Sequence, residues 1–241
     1  MPVSMPSQAS VAVSAQASSS ASARTSKARF WNRIARQYAA DPIADQAGYE
    51  HTLHRVQALL SSSDDVLELG CGTGSTALRL ASEVRSLRAT DVSDEMVAIA
   101  REKLQRQPTP QLSFEVADAD TPSDEPGTFD AVLAFNLLHL VSDLHGTMQG
   151  VWQALRPGGL FISKTPCVGE MSPLIRLLAI PAMRAVGKAP PVLILRAQDI
   201  EEAIRQAGLE VLLVERHGTK GKDTRPFIVA SKPKGAAHER G

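Results

Sequence analysis

Val66-Leu67-Glu68-Leu69-Gly70-Cys71-Gly72-Thr73-Gly74-Ser75 is the stretch that decides how this chain folds. A short apolar run carrying one carboxylate ends in three glycines at alternate positions, and residues 76–84 continue with helical character. Strand, glycine turn and helix in that order open a βαβ unit. Without Cβ atoms the turn is tight, and its backbone can approach a ligand closely. The alternation continues outward from this unit. Residues 87–89 read as a second strand closing on Asp91, and Ser93 caps the next helix. Asp94 and Glu95 stand in that helix's first turn, where carboxylates suit the helix dipole. Residues 112–116 and 131–135 are the third and fourth strands. A helix over 143–155 stops at Pro157-Gly158-Gly159, and 160–163 is the fifth strand. A helix over 198–206 closes at Gly208, and 211–214 and 227–230 form a final strand pair. Upstream, Phe30, Trp31, Ile34, Ala35 and Tyr38 recur at helical spacing, and a second helix runs over 49–60.

Strands separated by single helices predict a parallel sheet with right-handed crossovers. Ligands of such sheets bind beyond the carboxyl ends of the strands, at the topological switch point. Function is therefore read from the residues at the carboxyl end of each strand. The glycine loop has three nucleotide-site readings. A P-loop needs Gly-Lys-Ser/Thr, but Gly74 is succeeded by Ser75 and Thr76. A dinucleotide fingerprint counted from Gly70 meets Ser75 at its last position; counted from Gly72 it meets Ala77, which the pattern tolerates. The third reading is the acidic-x-G-x-G-x-G loop of S-adenosylmethionine (SAM) sites. Asp91, after the second strand, can accept both hydroxyls of a ribose and repels a 2′-phosphate. Asp118, after the third strand, can accept from an exocyclic adenine amine while the Ala119 N–H donates to a ring nitrogen. Asn136-Leu137-Leu138-His139 comes after the fourth strand, where a transferred group would lie.

Together these residues resemble a class I SAM-dependent methyltransferase of the small-molecule type. The resemblance rests on residues 66–74, Asp91, 116–119, 129–133 and the Leu155-Arg-Pro-Gly-Gly-Leu160 turn, and it spans about residues 30–232. It implies an α/β, Rossmann-like doubly wound, mostly parallel seven-stranded sheet with a C-terminal antiparallel strand. It also implies roles by position. Gly70, Gly72 and Gly74 would pass under the methionine moiety, and Glu68 would shape that loop and reach the amino group. Asp91 would hold the ribose, Val92 and Met96 would pack on the adenine, and Asp118 and Ala119 would read its edge. Asn136 would lie near the sulfonium, and Tyr38 would touch the methionine carboxylate from a helix that resembles the cofactor lid of relatives. The implied cofactor is SAM, with S-adenosylhomocysteine as product. An NAD-dependent oxidoreductase and a non-catalytic SAM-binding regulator are the competing functions.

A sulfonium is already an activated leaving group, so the protein needs only to align the reactants and exclude water. His139 is the candidate base where the nucleophile must lose a proton; the alternative is a histidine packed at the sheet edge. His51 and His54 sit three apart on a helix, a weak metal pair, and Asp118 and Asp120 lack a third ligand in pattern; no metal is expected. Cys71 reads as a small apolar filler, and Cys167, just after the fifth strand, as a similar filler or as lining of the substrate side.

Residues 168–196 are long for a connection and rich in Leu, Ile and Met. They form a cap over an apolar or aromatic acceptor, pack on the core, or make a shallow membrane or partner contact. The Asp/Asn-Pro-Pro-aromatic signature of enzymes that methylate exposed amines is absent after the fourth strand, and Lys+Arg (26) balances Asp+Glu (26). Both argue against a DNA substrate; RNA and protein substrates stay open. The basic stretch 216–222 reads as a solvated hairpin turn. No apolar run approaches the roughly 18 residues of a membrane span. Residues 1–29 are Ser- and Ala-rich with no acidic residue. That composition predicts a disordered tail, with an organelle transit peptide as the alternative. Residues 233–241 read as a second flexible tail. Two cysteines make no disulfide scaffold, which suits a reducing compartment such as the cytoplasm.

Overall fold

The computed structural model describes residues 25–121 and 126–235. A seven-stranded sheet runs in the order β3-β2-β1-β4-β5-β7-β6. The strands are β1 (Asp65–Leu69), β2 (Ser86–Asp91), β3 (Leu112–Val116), β4 (Phe129–Phe135), β5 (Leu155–Lys164), β6 (Glu210–Arg216) and β7 (Pro226–Ser231). β1 pairs in parallel with β2 and β4, β2 with β3, and β4 with β5; β7 lies antiparallel between β5 and β6. The expected doubly wound sheet with its antiparallel C-terminal strand is thus present. The strand order reverses between β1 and β4, which puts the switch point at the ends of those two strands.

The helices are α1 (25–40), α2 (Gln46–Gln57), α3 (Ser75–Leu80), α4 (Asp94–Arg106), α5 (Leu144–Ala154), α6 (Ile180–Ala185) and α7 (Ala197–Gln206). Two apolar layers sandwich the sheet. On β4, Ala131 and Leu133 pack with Leu80, Val97 and Phe114 on one face. Val132 and Ala134 pack with Met148, Val151 and Ile200 on the other. Side chains alternate across a strand, so a strand covered on both faces must be apolar throughout. That is why residues 131–135 carry no polar side chain.

Local signals work as their chemistry requires. The Ser93 hydroxyl accepts from the Met96 amide at 3.1 Å and caps α4. Gly74 stands in the left-handed region (φ 75°) just before α3, and an added Cβ would lie 2.6 Å from Phe114 and 2.8 Å from the Ala100 methyl. Two expectations about element ends change. α5 ends at Ala154, and Pro157-Gly158-Gly159 lies inside β5 rather than stopping a helix. The register shifts there, and the Gly158 amide donates to the Lys232 carbonyl at 2.7 Å. The stretch is accommodated as a bulge, where a proline needs no ladder partner. At the other end, α1 already includes residues 25–29, which the composition assigned to the tail. The remaining tail positions, 1–24 and 236–241, lie outside the described residues.

The long connection after β5 is a 3-10 turn at Val168–Glu170, a helical run over 173–185 and an extended return. The run is π-wound over Ile175–Ala179 before α6. The wider winding falls where the Pro181 ring would crowd the Leu177 carbonyl. Leu193 and Leu195 of the return pack on the core, whereas no residue from 175 to 185 is buried.

Candidate cofactor and acceptor site

A cleft opens at the switch point. Nine of the eleven expected cofactor residues line it: Tyr38, Gly70, Gly72, Asp91, Val92, Met96, Asp118, Ala119 and Asn136. The β1–α3 loop supplies the floor. A Cβ at Gly70 (φ 67°) would stand 2.7 Å from Leu137 Cδ1. One at Gly72 (φ 54°) would face the Tyr38 ring at 3.7 Å. α1 therefore roofs the glycine loop, with Trp31 and Tyr38 edge to face at 6.1 Å.

The acids are held differently. Asp91 accepts the Gly72 amide at 2.9 Å through Oδ2 and the Ser93 amide at 2.9 Å through Oδ1. Burial raises its pKa, and those amides oppose the shift. Its spare lone pairs face the cleft. Asn136, the only non-glycine among the described residues with positive φ (53°), ends β4 with its amide on the Lys164 carbonyl at 2.8 Å. Asparagine tolerates that conformation better than most residues, and strain of this kind collects at functional sites.

Glu68 and Gly74 lie behind the lining. Gly74 shapes the start of α3. Glu68 is 2% exposed, and its Oε2 has no hydrogen-bond partner. Burial, and then the Asp91 charge, push its carboxyl up to about 8. The folded protein therefore binds one proton more than the unfolded chain between the ordinary glutamate pKa and about 8. The stability this lends is complete below about 4.5 and is lost as pH rises through about 8. The melting temperature of the ligand-free protein should fall across that window, at a slope of at most about 1.4 kcal/mol per pH unit. Glu68→Gln should flatten the slope in thermal unfolding followed by circular dichroism; an unchanged slope would assign it to other groups.

His139 does not line the cleft. Its Nδ1 is buried without a partner, and its carbonyl accepts the Leu193 amide at 2.8 Å. Burial, and then the Arg225 charge, lower its imidazole to about 4. It is neutral at physiological pH and a weak proton acceptor there. His51 stacks on His217 at 4.3 Å, and among the described residues no three side chains are placed to hold a metal ion. Cys71 and Cys167 are buried thiols, with burial driving the Cys71 pKa up and that of Cys167 to about 12. The basic turn 216–222 is tied back to the start of α2, where the Thr219 amide donates to Asp45 at 2.8 Å. No residue of 168–196 reaches the cleft wall.

Lys27, Trp31, Ala117, Phe135, Leu137, Leu140 and Val141 complete the lining, and composition gave no hint of the first. Lys27 Nζ sits 3.2 Å from Asp118 Oδ1 and 2.5 Å from Asp120 Oδ2. It occupies the carboxylate expected to read a base edge. A signal was there: 27, 31, 34 and 38 continue the helical stripe of α1. Lys27→Met removes both a competitor for Asp118 and a positive charge from the cleft. It should tighten a cationic adenosyl ligand about fivefold, from roughly 1 kcal/mol. Isothermal titration decides this, and weaker binding would show that Lys27 supports the site.

The methyltransferase-domain family matches residues 66–159. The uncharacterized methyltransferase C70.08c of Schizosaccharomyces pombe is 30% identical over 70% of this chain and 69% of its own length. The O-methyltransferase cnsE of Penicillium expansum is 28% identical over 76% of this chain and 64% of its own. The chain spans half of Bacillus subtilis YqeM, named a methyltransferase, at 29% identity. A chain of the complex between the Haloferax volcanii Trm112 methyltransferase activator and a methyltransferase superposes with a TM-score of 0.68. That match is 19% identical and covers 84% of this chain and 97% of that one. The chain belongs to the class I SAM-dependent methyltransferases.

Proposed function

We propose that this protein transfers the methyl group of SAM to a small apolar or aromatic acceptor, releasing S-adenosylhomocysteine. The observation that supports this best is the convergence of Asp91, Asp118 and the Cβ-free loop on one cleft. The residues suit the cofactor. The glycine turn leaves room that side chains would fill. The Glu68 carboxyl, two residues before Gly70, is buried behind the lining with one oxygen left without a partner.

When bound, SAM supplies a methyl group already activated by its sulfonium. The protein's part is positional. Asp91 accepts the ribose hydroxyls, Val92 and Met96 pack on the adenine, and Asp118 with the Ala119 amide reads its edge. Gly70 and Gly72 admit the methionine portion under Tyr38, and Asn136 presents its backbone near the reacting carbon. Trp31, Leu137, Leu140 and Val141 exclude water and offer an apolar wall to the acceptor. His139 stands outside the cleft lining with its imidazole lowered to about 4 by burial, so we give it a packing role at the sheet edge rather than that of a base. We place the protein in the cytoplasm, in keeping with two unpaired thiols.

Thermal shift tests the reading. At a hundred times its dissociation constant, SAM or S-adenosylhomocysteine should stabilise the fold by about 2.7 kcal/mol, and NAD should not. A shift with NAD alone would overturn it. Transfer of a labelled methyl to an acceptor in a metabolite screen separates an enzyme from a SAM-binding regulator.

A further inference from the structure

The helical run over 173–185 leaves its large apolar side chains in solvent. Leu174, Leu177 and Leu178 are 68%, 63% and 61% exposed, and Val186 just beyond is 66% exposed. Ile175 and Met183 are exposed as well. Single exposed leucines are ordinary; a cluster on one short helix marks a contact surface. Its charges have one sign. From residue 171 to 198 there is no Asp or Glu, while Arg176, Arg184 and Lys188 lie within or beside the helix.

We propose that residues 172–188 dock on an anionic bilayer surface, the leucines entering the headgroup boundary and the cations meeting lipid phosphates. Apolar side chains accompanied only by Lys and Arg are what such an interface selects. Charge decides against the other occupants. A second copy docked through the same patch would oppose three cations with three cations. Residues 1–24 contain no acidic residue to complement it. The helix is also placed for this role. Arg33 of α1 donates to the Gly187 carbonyl at one end, and Arg176 Nη1 donates to the Gly169 carbonyl at 3.5 Å at the other. α1 carries Trp31 and Tyr38 into the cleft, so the docked helix adjoins the site's roof. The docking stands whatever the acceptor is.

The full-length chain should co-sediment with vesicles of phosphatidylcholine and phosphatidylglycerol in equal parts, less so with added salt, and weakly with phosphatidylcholine alone. Arg176→Gln/Arg184→Gln/Lys188→Gln should weaken binding on the order of a hundredfold. Leu177→Glu/Leu178→Glu should abolish it, and unchanged melting temperatures show that both variants fold. Three results overturn the proposal: no wild-type binding at low salt, equal binding by the Leu177→Glu/Leu178→Glu variant, or self-association in the ultracentrifuge that this variant abolishes.

Discussion

Asp91→Ala is expected to weaken SAM binding at least a hundredfold. Hydrogen bonds to a charged acceptor contribute roughly 1.5–3 kcal/mol each, and the carboxylate would receive two from a buried ribose. Their joint loss is about 3–6 kcal/mol. Alanine also frees the Gly72 and Ser93 amides, both of which donate to Asp91, so the glycine loop would relax at the same time. Asp91→Asn divides the two effects in part. It keeps the shape and one acceptor oxygen, but both Asp91 oxygens accept backbone amides, so its NH2 faces the Gly72 or Ser93 N–H; it should lose about tenfold in affinity and less melting temperature than Asp91→Ala. Isothermal titration of both variants reads the outcome. Affinity for SAM unchanged in Asp91→Ala would remove this carboxylate from the binding site.

Gly74→Ala is the second large effect, and it falls on stability. The backbone there is left-handed, which costs an L-residue roughly 1–2 kcal/mol. The new methyl would sit 2.6 Å from the Phe114 ring and 2.8 Å from the Ala100 methyl. Both neighbours belong to the packed core, where forced overpacking costs about 1–3 kcal/mol. The sum is about 3 kcal/mol, or a melting temperature lowered by roughly 10 °C for a domain of this size. Gly127→Ala is the control. It shares the positive φ, but nothing lies within 4 Å of its Cβ, so only the backbone penalty remains. Equal losses in the two variants, measured by calorimetry, would refute the role of packing.

Much of the architecture was legible because the deciding signals are local. Alternating apolar runs, a glycine turn after the first strand and Ser93 ahead of a helix are each enforced by backbone chemistry within a few residues. The cleft was legible for a related reason: in an open parallel sheet the residue after each strand is delivered to the same rim, so Asp91, Asp118 and Asn136 meet there. What escaped depends on tertiary packing. Lys27 stands in a Ser- and Ala-rich context that composition reads as tail, and only the docking of α1 gives it partners. Pro157-Gly158-Gly159 looks like a terminator, yet Lys232 satisfies the bulge it makes. The leucines of 173–185 read as a cap, as core or as a membrane or partner contact, and the fold buries none of them; apolar periodicity states that a side chain should be covered and is silent about what covers it.

The roof over the glycine loop has a kinetic consequence. α1 fastens to the rest of the fold through Lys27 on Asp118 and Asp120, Asn32 on Asp94 and Ser93, and Arg36 on Glu102. Beside these clasps Ala35 packs with Met96, Ile99 and Trp31 in a small apolar cluster separate from the two main layers, so lifting the helix breaks that cluster and the ion pairs but leaves the sandwich beneath intact. Residence time in the cleft is then governed by how often that first helix unclasps, and raising ionic strength should hasten exchange of spent nucleoside for fresh.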